Sequence, residues 1–171
     1  MLDIETFDNL RGGNVVYKAL AHPLAAEALA RLAARLGEAG PAAIYDPDGI
    51  AGPLRALAPE FPVEGVYVHD TLAVGHKRAG LEARAILDLK RADARVVLIA
   101  AFDAARLAAR IAPFVPEGAE ILTLDEIRLP DAMLTNRRRY LDPLNFAGNF
   151  VFFRDDDRMA TRLATANYWH G

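Results

Sequence analysis

The sequence predicts an α/β domain built on a parallel sheet, and three observations predict it. Apolar segments of strand length alternate with segments of helical periodicity between residues 23 and 123, which is the pattern of successive βαβ units. The run 95–101 (RVVLIAA) is almost continuously apolar, as expected for a strand covered on both faces. The 171 residues, 53% of them hydrophobic, suffice for one core. Four or five strands with right-handed crossovers then take the simple order 3-2-1-4-5.

The N-terminal part is expected to contain an irregular arm over residues 1–21, followed by a helix. His22-Pro23 begins that helix, because proline suits the first helical position. Apolar residues recur at helical spacing until Gly37 and Gly40 end it. Its apolar positions are Leu24, Ala28, Leu29, Leu32 and Leu36.

The next segments predict a strand, a helix and a second strand. Residues 42–45 form a short buried strand, residues 50–58 a short helix closed by Pro59 and Pro62, and residues 65–69 a strand that leads into an acid. This order and spacing are typical of a dinucleotide-binding unit.

The remainder of the predicted sheet follows the same alternation. Residues 81–87 fit a short strand, residues 88–93 a helical turn, and residues 119–123 a last strand. Asp103 is expected to cap the helix after the 95–101 strand. That helix turns Leu107, Ile111 and Phe114 inward before Pro113 and Pro116 stop it.

The C-terminal extension predicts a β-hairpin with strands 149–154 and 159–169 around Asp155-Asp156-Asp157. The chain therefore divides into an N-terminal arm and helix (1–40), an α/β core (41–130) and an extension (131–171), all expected in one compact unit. A two-stranded aromatic ribbon needs a cover, which leaves open a homodimer or a protein partner through residues 146–169.

Composition excludes several chemistries. The chain has no cysteine, serine or glutamine, so disulfides, thiolate chemistry and serine triads are absent from it.

The net charge of −3 predicts no general attraction to nucleic acid or to a membrane surface. The Arg137–Arg139 run is interpreted as a surface pairing with nearby aspartates. No signal peptide or membrane span is evident, so a cytoplasmic protein is expected. The histidines do not stand at metal-ligand spacing, so no metal is expected.

The turn after the first strand is the predicted binding site. It reads Asp46-Pro47-Asp48-Gly49-Ile50-Ala51-Gly52, where a dinucleotide fold would place G-x-G-x-x-G. Asp70 lies 21 positions after Gly49, near the roughly 20-residue offset of a ribose-binding acid. Two carboxylates compete with a phosphate for the start of the following helix, so hydroxyls or an amine suit the turn better. The alternative is that this is only a turn sequence and that Asp70 caps a turn.

Six residues are therefore predicted to frame a ligand at the carboxyl edge of the sheet. Asp46, Asp48 and Gly49 shape the turn, Gly52 allows close approach, Asp70 binds hydroxyls and Asp103 lines the opposite wall. A second set of candidates follows the second predicted strand: His69 or His76 as a general base, with Lys77 or Arg78 on a phosphate.

Three of these segments carry a resemblance to a known class of domain. The residues are Gly49-Ile50-Ala51-Gly52, then Val66–Asp70 with Gly75, then Val96–Ala101 with Asp103. In order and spacing, residues 42–123 resemble the small Rossmann-like domains of sugar-modifying enzymes, namely the C-terminal domain of sugar C-methyltransferases and the N-terminal domain of sialic-acid-type sugar acetyltransferases. The Asp-Pro-Asp turn departs from their glycines. The resemblance implies a Rossmann-like three-layer sheet and the position of a pocket.

The resulting hypothesis is a binding or interaction module without catalysis of its own, for a nucleotide or nucleotide-sugar-like small molecule. Two alternatives remain. One is a small sugar-modifying or nicotinamide-dependent enzyme with a histidine base, and the other is a structural protein that oligomerises through its aromatic hairpin.

Overall fold

The computed structural model describes residues 13–146 of the chain. Within this range the chain forms an α/β structure around a six-stranded, mostly parallel sheet. The strands are β1 (Ala42–Tyr45), β2 (Val63–Val68), β3 (Lys77–Arg78), β4 (Leu81–Ala85), β5 (Val96–Ile99) and β6 (Glu120–Thr123). The predicted α/β class is confirmed.

The α-helices of the described range are α1 (Gly13–Leu20), α2 (Pro23–Ala39), α3 (Ala51–Leu57) and α4 (Ala105–Ile111). The helix predicted from His22 is confirmed as α2. Pro23 opens it, the His22 side chain accepts a hydrogen bond from the Leu24 amide, and Gly40 follows it with φ of +98°. The prediction of an irregular arm up to residue 21 is wrong over residues 13–20, where α1 packs against α2. The glycine at its first position obscured the short amphipathic repeat in the sequence.

The strands lie in the order β3-β4-β2-β1-β5-β6. β1 is central and pairs in parallel with β2 on one side and β5 on the other. The chain thus builds outward from β1 in one direction and then in the other. The predicted count of four or five strands and the order 3-2-1-4-5 both differ from this sheet. The difference arises because residues 77–85 fold back as an antiparallel hairpin, so a two-residue strand adds to the edge.

Both faces of the sheet are covered, which explains why every residue of β1 and β5 is buried and why neither strand contains a charged residue. Ala42 and Ile44 of β1 point to a core shared with α1, α2 and α3. Ala43 and Tyr45 point to a second core with α4 and the 3₁₀ turn at residues 86–91. Because successive side chains of a strand point to opposite faces, β1 contributes two side chains to each core.

The beginning of the C-terminal extension packs on this domain. Tyr140 and Phe146 are buried in the core of the α1–α3 face, and the two rings meet edge to face at 5.3 Å. The Tyr140 hydroxyl accepts a hydrogen bond from the Leu129 amide at 3.1 Å. The predicted hairpin at residues 149–169 lies outside the described residues.

Asp103 does not cap α4, in contrast to the prediction. It adopts a left-handed φ of +53°, so its side chain turns away from the helix start. The Asp125 carboxylate accepts hydrogen bonds from the amides of Asp103 and Ala104 instead, at 2.8 and 2.9 Å. Asp125, two residues beyond β6, therefore caps the start of α4 in place of Asp103.

Tyr140→Phe tests how firmly the extension is held. The change leaves the buried Leu129 amide without its acceptor, so we expect the free energy of unfolding to fall by about 1–3 kcal/mol in urea titrations. Tyr17→Phe, which removes a hydroxyl from a side chain that is 43% exposed, is the control and should change stability little. Equal effects of the two substitutions would contradict this role.

Candidate functional site

The predicted site residues gather at the edge of the sheet where the parallel strands end. Asp46 follows β1, His69 follows β2 and Ala100 follows β5. Strand order reverses beside β1, since the chain returns from β4 to place β5 on its other side. Open α/β sheets bind ligands at such a reversal, outside the carboxyl ends of the strands. The structure therefore offers this edge as a place for a ligand.

Asp46 is the most unusual residue of this edge, because its carboxylate is buried, with 1% of the residue exposed. Oδ1 accepts a hydrogen bond from the Ala51 amide at 3.2 Å, whereas Oδ2 has no hydrogen-bond partner among the described residues. Burial raises the pKa of Asp46, opposed by the amides of Ala51, Ile50 and Gly49 and by the charge of Arg78. The carboxylate thus takes up backbone donors that a dinucleotide fold offers to a phosphate.

The turn after Asp46 is shaped by Gly49. Its φ of +81° is in the left-handed region, and a methyl group built on it would lie 2.5 Å from Nη1 of Arg78. Only glycine fits here without displacing that guanidinium. Gly52 lies in α3, and nothing is found within 4 Å of the position that its Cβ would take. Asp48 lies exposed in the same turn.

Arg78 comes from the β3–β4 hairpin, and this hairpin is fastened to α3. Nη1 of Arg55 donates a hydrogen bond to the carbonyl oxygen of Ala79 at 3.0 Å. Arg78 is half-buried against the Gly49 turn, while His76 and Lys77 are exposed on the hairpin. Of His76, Lys77 and Arg78, the contacts place Arg78 on the predicted turn.

His69 is joined to Tyr45, which sequence reasoning did not single out. The phenol oxygen of Tyr45 and Nδ1 of His69 are 2.6 Å apart, a short hydrogen bond between the ends of adjacent strands. Burial raises the pKa of Tyr45; the charge of Arg110 lowers it and that of Asp48 raises it. A polar-tipped aromatic residue as the last residue of a buried strand was the signal available in the sequence.

The two remaining predicted residues make hydrogen bonds within the protein. Oδ1 of Asp70 accepts a hydrogen bond from the Leu72 amide at 2.9 Å, which caps the 3₁₀ turn at residues 71–73. Asp103 forms an ion pair with Arg128, and its Oδ2 accepts a hydrogen bond from the Tyr140 amide at 2.8 Å. Oδ2 of Asp103 therefore holds the C-terminal extension, whereas Oδ1 pairs with Arg128 of the α/β core. The roles predicted for Asp70 and Asp103 toward a ligand stay predictions.

A cavity of about 710 Å³ lies away from this edge. It runs between α1, α2 and the end of α3, and small side chains of α2 form much of its wall. Its lining includes Tyr17, Ala30, Ala33, Gly37, Leu57 and Glu60. None of the predicted site residues contributes to it, so volume and predicted chemistry do not coincide in this molecule.

Comparisons with known proteins identify no relative of the chain. No protein-family model matches it, and neither a curated protein nor a solved structure matches it. The resemblance to domains of sugar-modifying enzymes therefore stays a prediction. In the part of the chain that the structure describes, no helix is long and apolar enough to span a bilayer. Over the same residues, no three His, Asp or Glu side chains cluster as metal ligands would.

Asp46→Asn tests the charge of the buried carboxyl. Because burial raises the folded-state pKa of Asp46 above its ordinary value of 3.8, the ionised group costs stability at neutral pH. That cost is relieved as the pH falls through the folded-state pKa. We therefore expect wild type to gain stability relative to Asp46→Asn as the pH is lowered from 7.5 to 4.5.

Urea unfolding of both proteins at each pH gives this difference, in which the other titrating groups cancel. A difference that stays constant, or that moves against wild type on acidification, would contradict the burial of a charged Asp46.

Proposed function

We propose that this chain is a small-ligand binding module of Rossmann-like fold, and that it binds a nucleotide-sugar-like ligand chiefly through hydroxyl groups. The observation that carries the proposal is the hydrogen-bonded Tyr45–His69 pair at the ends of β1 and β2, beside the carboxylates of Asp48 and Asp70. Hydroxyls both donate and accept hydrogen bonds, so they complement a surface on which carboxylates and an imidazole alternate.

The state of the turn supports hydroxyls over a pyrophosphate at this position. A phosphate at the start of α3 would have to share the amides of residues 49–51 with the Asp46 carboxylate, and its charge would face Asp46 and Asp48. Like charges at such distances disfavour binding. A dinucleotide held by its pyrophosphate, in the manner of NAD, is therefore a poor fit.

A phosphate of a nucleotide sugar has a more favourable neighbour in the hairpin. Arg78 lies against Gly49, and the exposed Lys77 is its neighbour in the same two-residue strand. An arginine binds phosphate through paired N–H donors and needs no help from the turn amides. The proposed ligand thus places its sugar toward His69 and any phosphate toward Arg78.

A thermal-shift panel tests the proposal with NAD, UDP, UDP-glucose and glucose. A ligand at a hundredfold excess over its Kd stabilises the fold by about 2.7 kcal/mol, which raises the Tm of a chain of this size by several degrees. We expect UDP-glucose and glucose to raise the Tm, and NAD to raise it least. A flat response to every sugar would contradict the proposal.

Asp48→Asn, measured in the same panel, separates the two parts of the ligand. Loss of one exposed carboxylate should weaken glucose binding and strengthen UDP binding about two- to fivefold, the latter at low salt only. Asp93→Asn is the matched control, because Asp93 is exposed just before β5 at the opposite edge of the sheet. The proposed site is wrong if both substitutions have the same effect.

A further inference from the structure

The positions of Tyr45 and His69 determine which side of the imidazole a ligand can reach. Tyr45 is fully buried as the last residue of β1, and its neighbour across the sheet is Tyr67 of β2. His69 is the first residue beyond β2 and is exposed. The pairing of the parallel strands β1 and β2 brings the two residues side by side, with 2.6 Å between the phenol oxygen and Nδ1. Only the far side of the imidazole, which carries Nε2, is left to meet a ligand.

The direction of this hydrogen bond follows from the two groups. Burial raises the pKa of Tyr45, so the phenol keeps its proton at neutral pH. Among residues 13–146, Nδ1 of His69 is the acceptor that the structure gives to that proton. A neutral imidazole has one nitrogen that donates and one that accepts. If Nδ1 accepts from Tyr45, the ring proton is on Nε2.

We propose that Tyr45 fixes neutral His69 as an Nε2–H donor, and that His69 thereby selects an uncharged acceptor oxygen of the ligand, a sugar hydroxyl, and does not act as a base. The ligand part rests on the proposed function; the hydrogen-bond direction does not. Tyr45 is a positioning residue in this scheme, because it acts on the ligand only through His69.

The charges around the imidazole support a hydroxyl over an anionic oxygen. Asp48 lies in the turn after β1 and Asp70 is next to His69 in the chain, and both are exposed acids. Oδ1 of Asp70 is engaged with the Leu72 amide, which leaves its other oxygen as an acceptor. A hydroxyl can accept from Nε2 of His69 and donate to a carboxylate at once, whereas an anion would be repelled by Asp48 and Asp70. Arg110 of α4 offsets part of this negative charge.

The hydrogen-bond direction also bears on the enzyme alternative. A general base at this position would need a bare Nε2, and hence a proton on Nδ1. The phenol would then have to give up its role as donor to His69. The geometry thus favours donation by His69 over the base function predicted from the sequence.

Nitrogen-15 NMR of the histidine side chains tests the direction of the bond without any ligand. At a pH where the imidazole is neutral, we expect wild-type His69 to be the Nε2–H tautomer, with the Nδ1 resonance of a hydrogen-bonded acceptor. Tyr45→Phe should remove that acceptor shift and admit the second tautomer. Tyr67→Phe is the matched control, because the Tyr67 hydroxyl donates to Glu64 and not to His69. An Nδ1–H tautomer in wild type would overturn the inference.

Titration with glucose and UDP-glucose tests the ligand part. His69→Ala should weaken binding roughly two- to tenfold, the usual effect of losing one hydrogen bond to a neutral group. His69→Gln should restore part of the affinity, because the glutamine amide group still donates a hydrogen bond. Glutamine cannot act as a base, so this variant would not restore a function that depended on a base. Weakening by Ala with no rescue by Gln would overturn donation by His69. Absence of binding to wild type would overturn the proposed function together with this part, and leave the tautomer result to stand or fall alone.

Discussion

The buried carboxylate of Asp46 is the interaction on which the rest of the carboxyl edge depends. An ionised group is tolerated in a protein interior only if it is compensated by hydrogen bonds or opposite charge. Asp46 obtains part of both: the Ala51 amide donates to Oδ1 and Arg78 supplies positive charge, but Oδ2 has no hydrogen-bond partner among the described residues and burial still raises the pKa. The hydrogen bond from the Ala51 amide ties Asp46 to the first residue of α3. Arg78 comes from the hairpin of β3 and β4 and packs on Gly49, which leaves room for its guanidinium.

Under the proposed function, the buried carboxyl group of Asp46 also bears on which ligand the fold binds. In a dinucleotide-binding unit, the glycine turn keeps its amides free for a pyrophosphate. Here the Asp46 side chain accepts from the amide of that turn, so the turn does not offer the positive charge that a pyrophosphate needs. Positive charge lies on the hairpin, and hydrogen-bonding groups lie at His69 and Asp48. This is why we propose a ligand that is recognised by its hydroxyls.

The sequence revealed the elements with long apolar patterns and missed the contacts between distant residues. The apolar runs of β1, β5 and β6, and the proline and apolar spacing of α2, are local features of the sequence, so these elements could be predicted. The cap of α4 could not, because Asp125 reaches it from 22 residues away while Asp103 adopts an unusual backbone conformation. For the same reason the sequence placed Asp46, Asp48 and His69 at one edge, but did not pair His69 with Tyr45 or Arg78 with Gly49. Both pairings depend on which strands become neighbours.

The most direct test of the account is a map of amide chemical shifts during titration with UDP-glucose. The account predicts that the shifted amides cluster at residues 46–52 and 69–71, with smaller changes at residues 77–79 of the hairpin. A cluster at the cavity between α1, α2 and α3, around Ala30, Ala33 and Leu57, would contradict it. In that case the ligand would be bound by shape and apolar contact, and the polar edge would serve the fold alone.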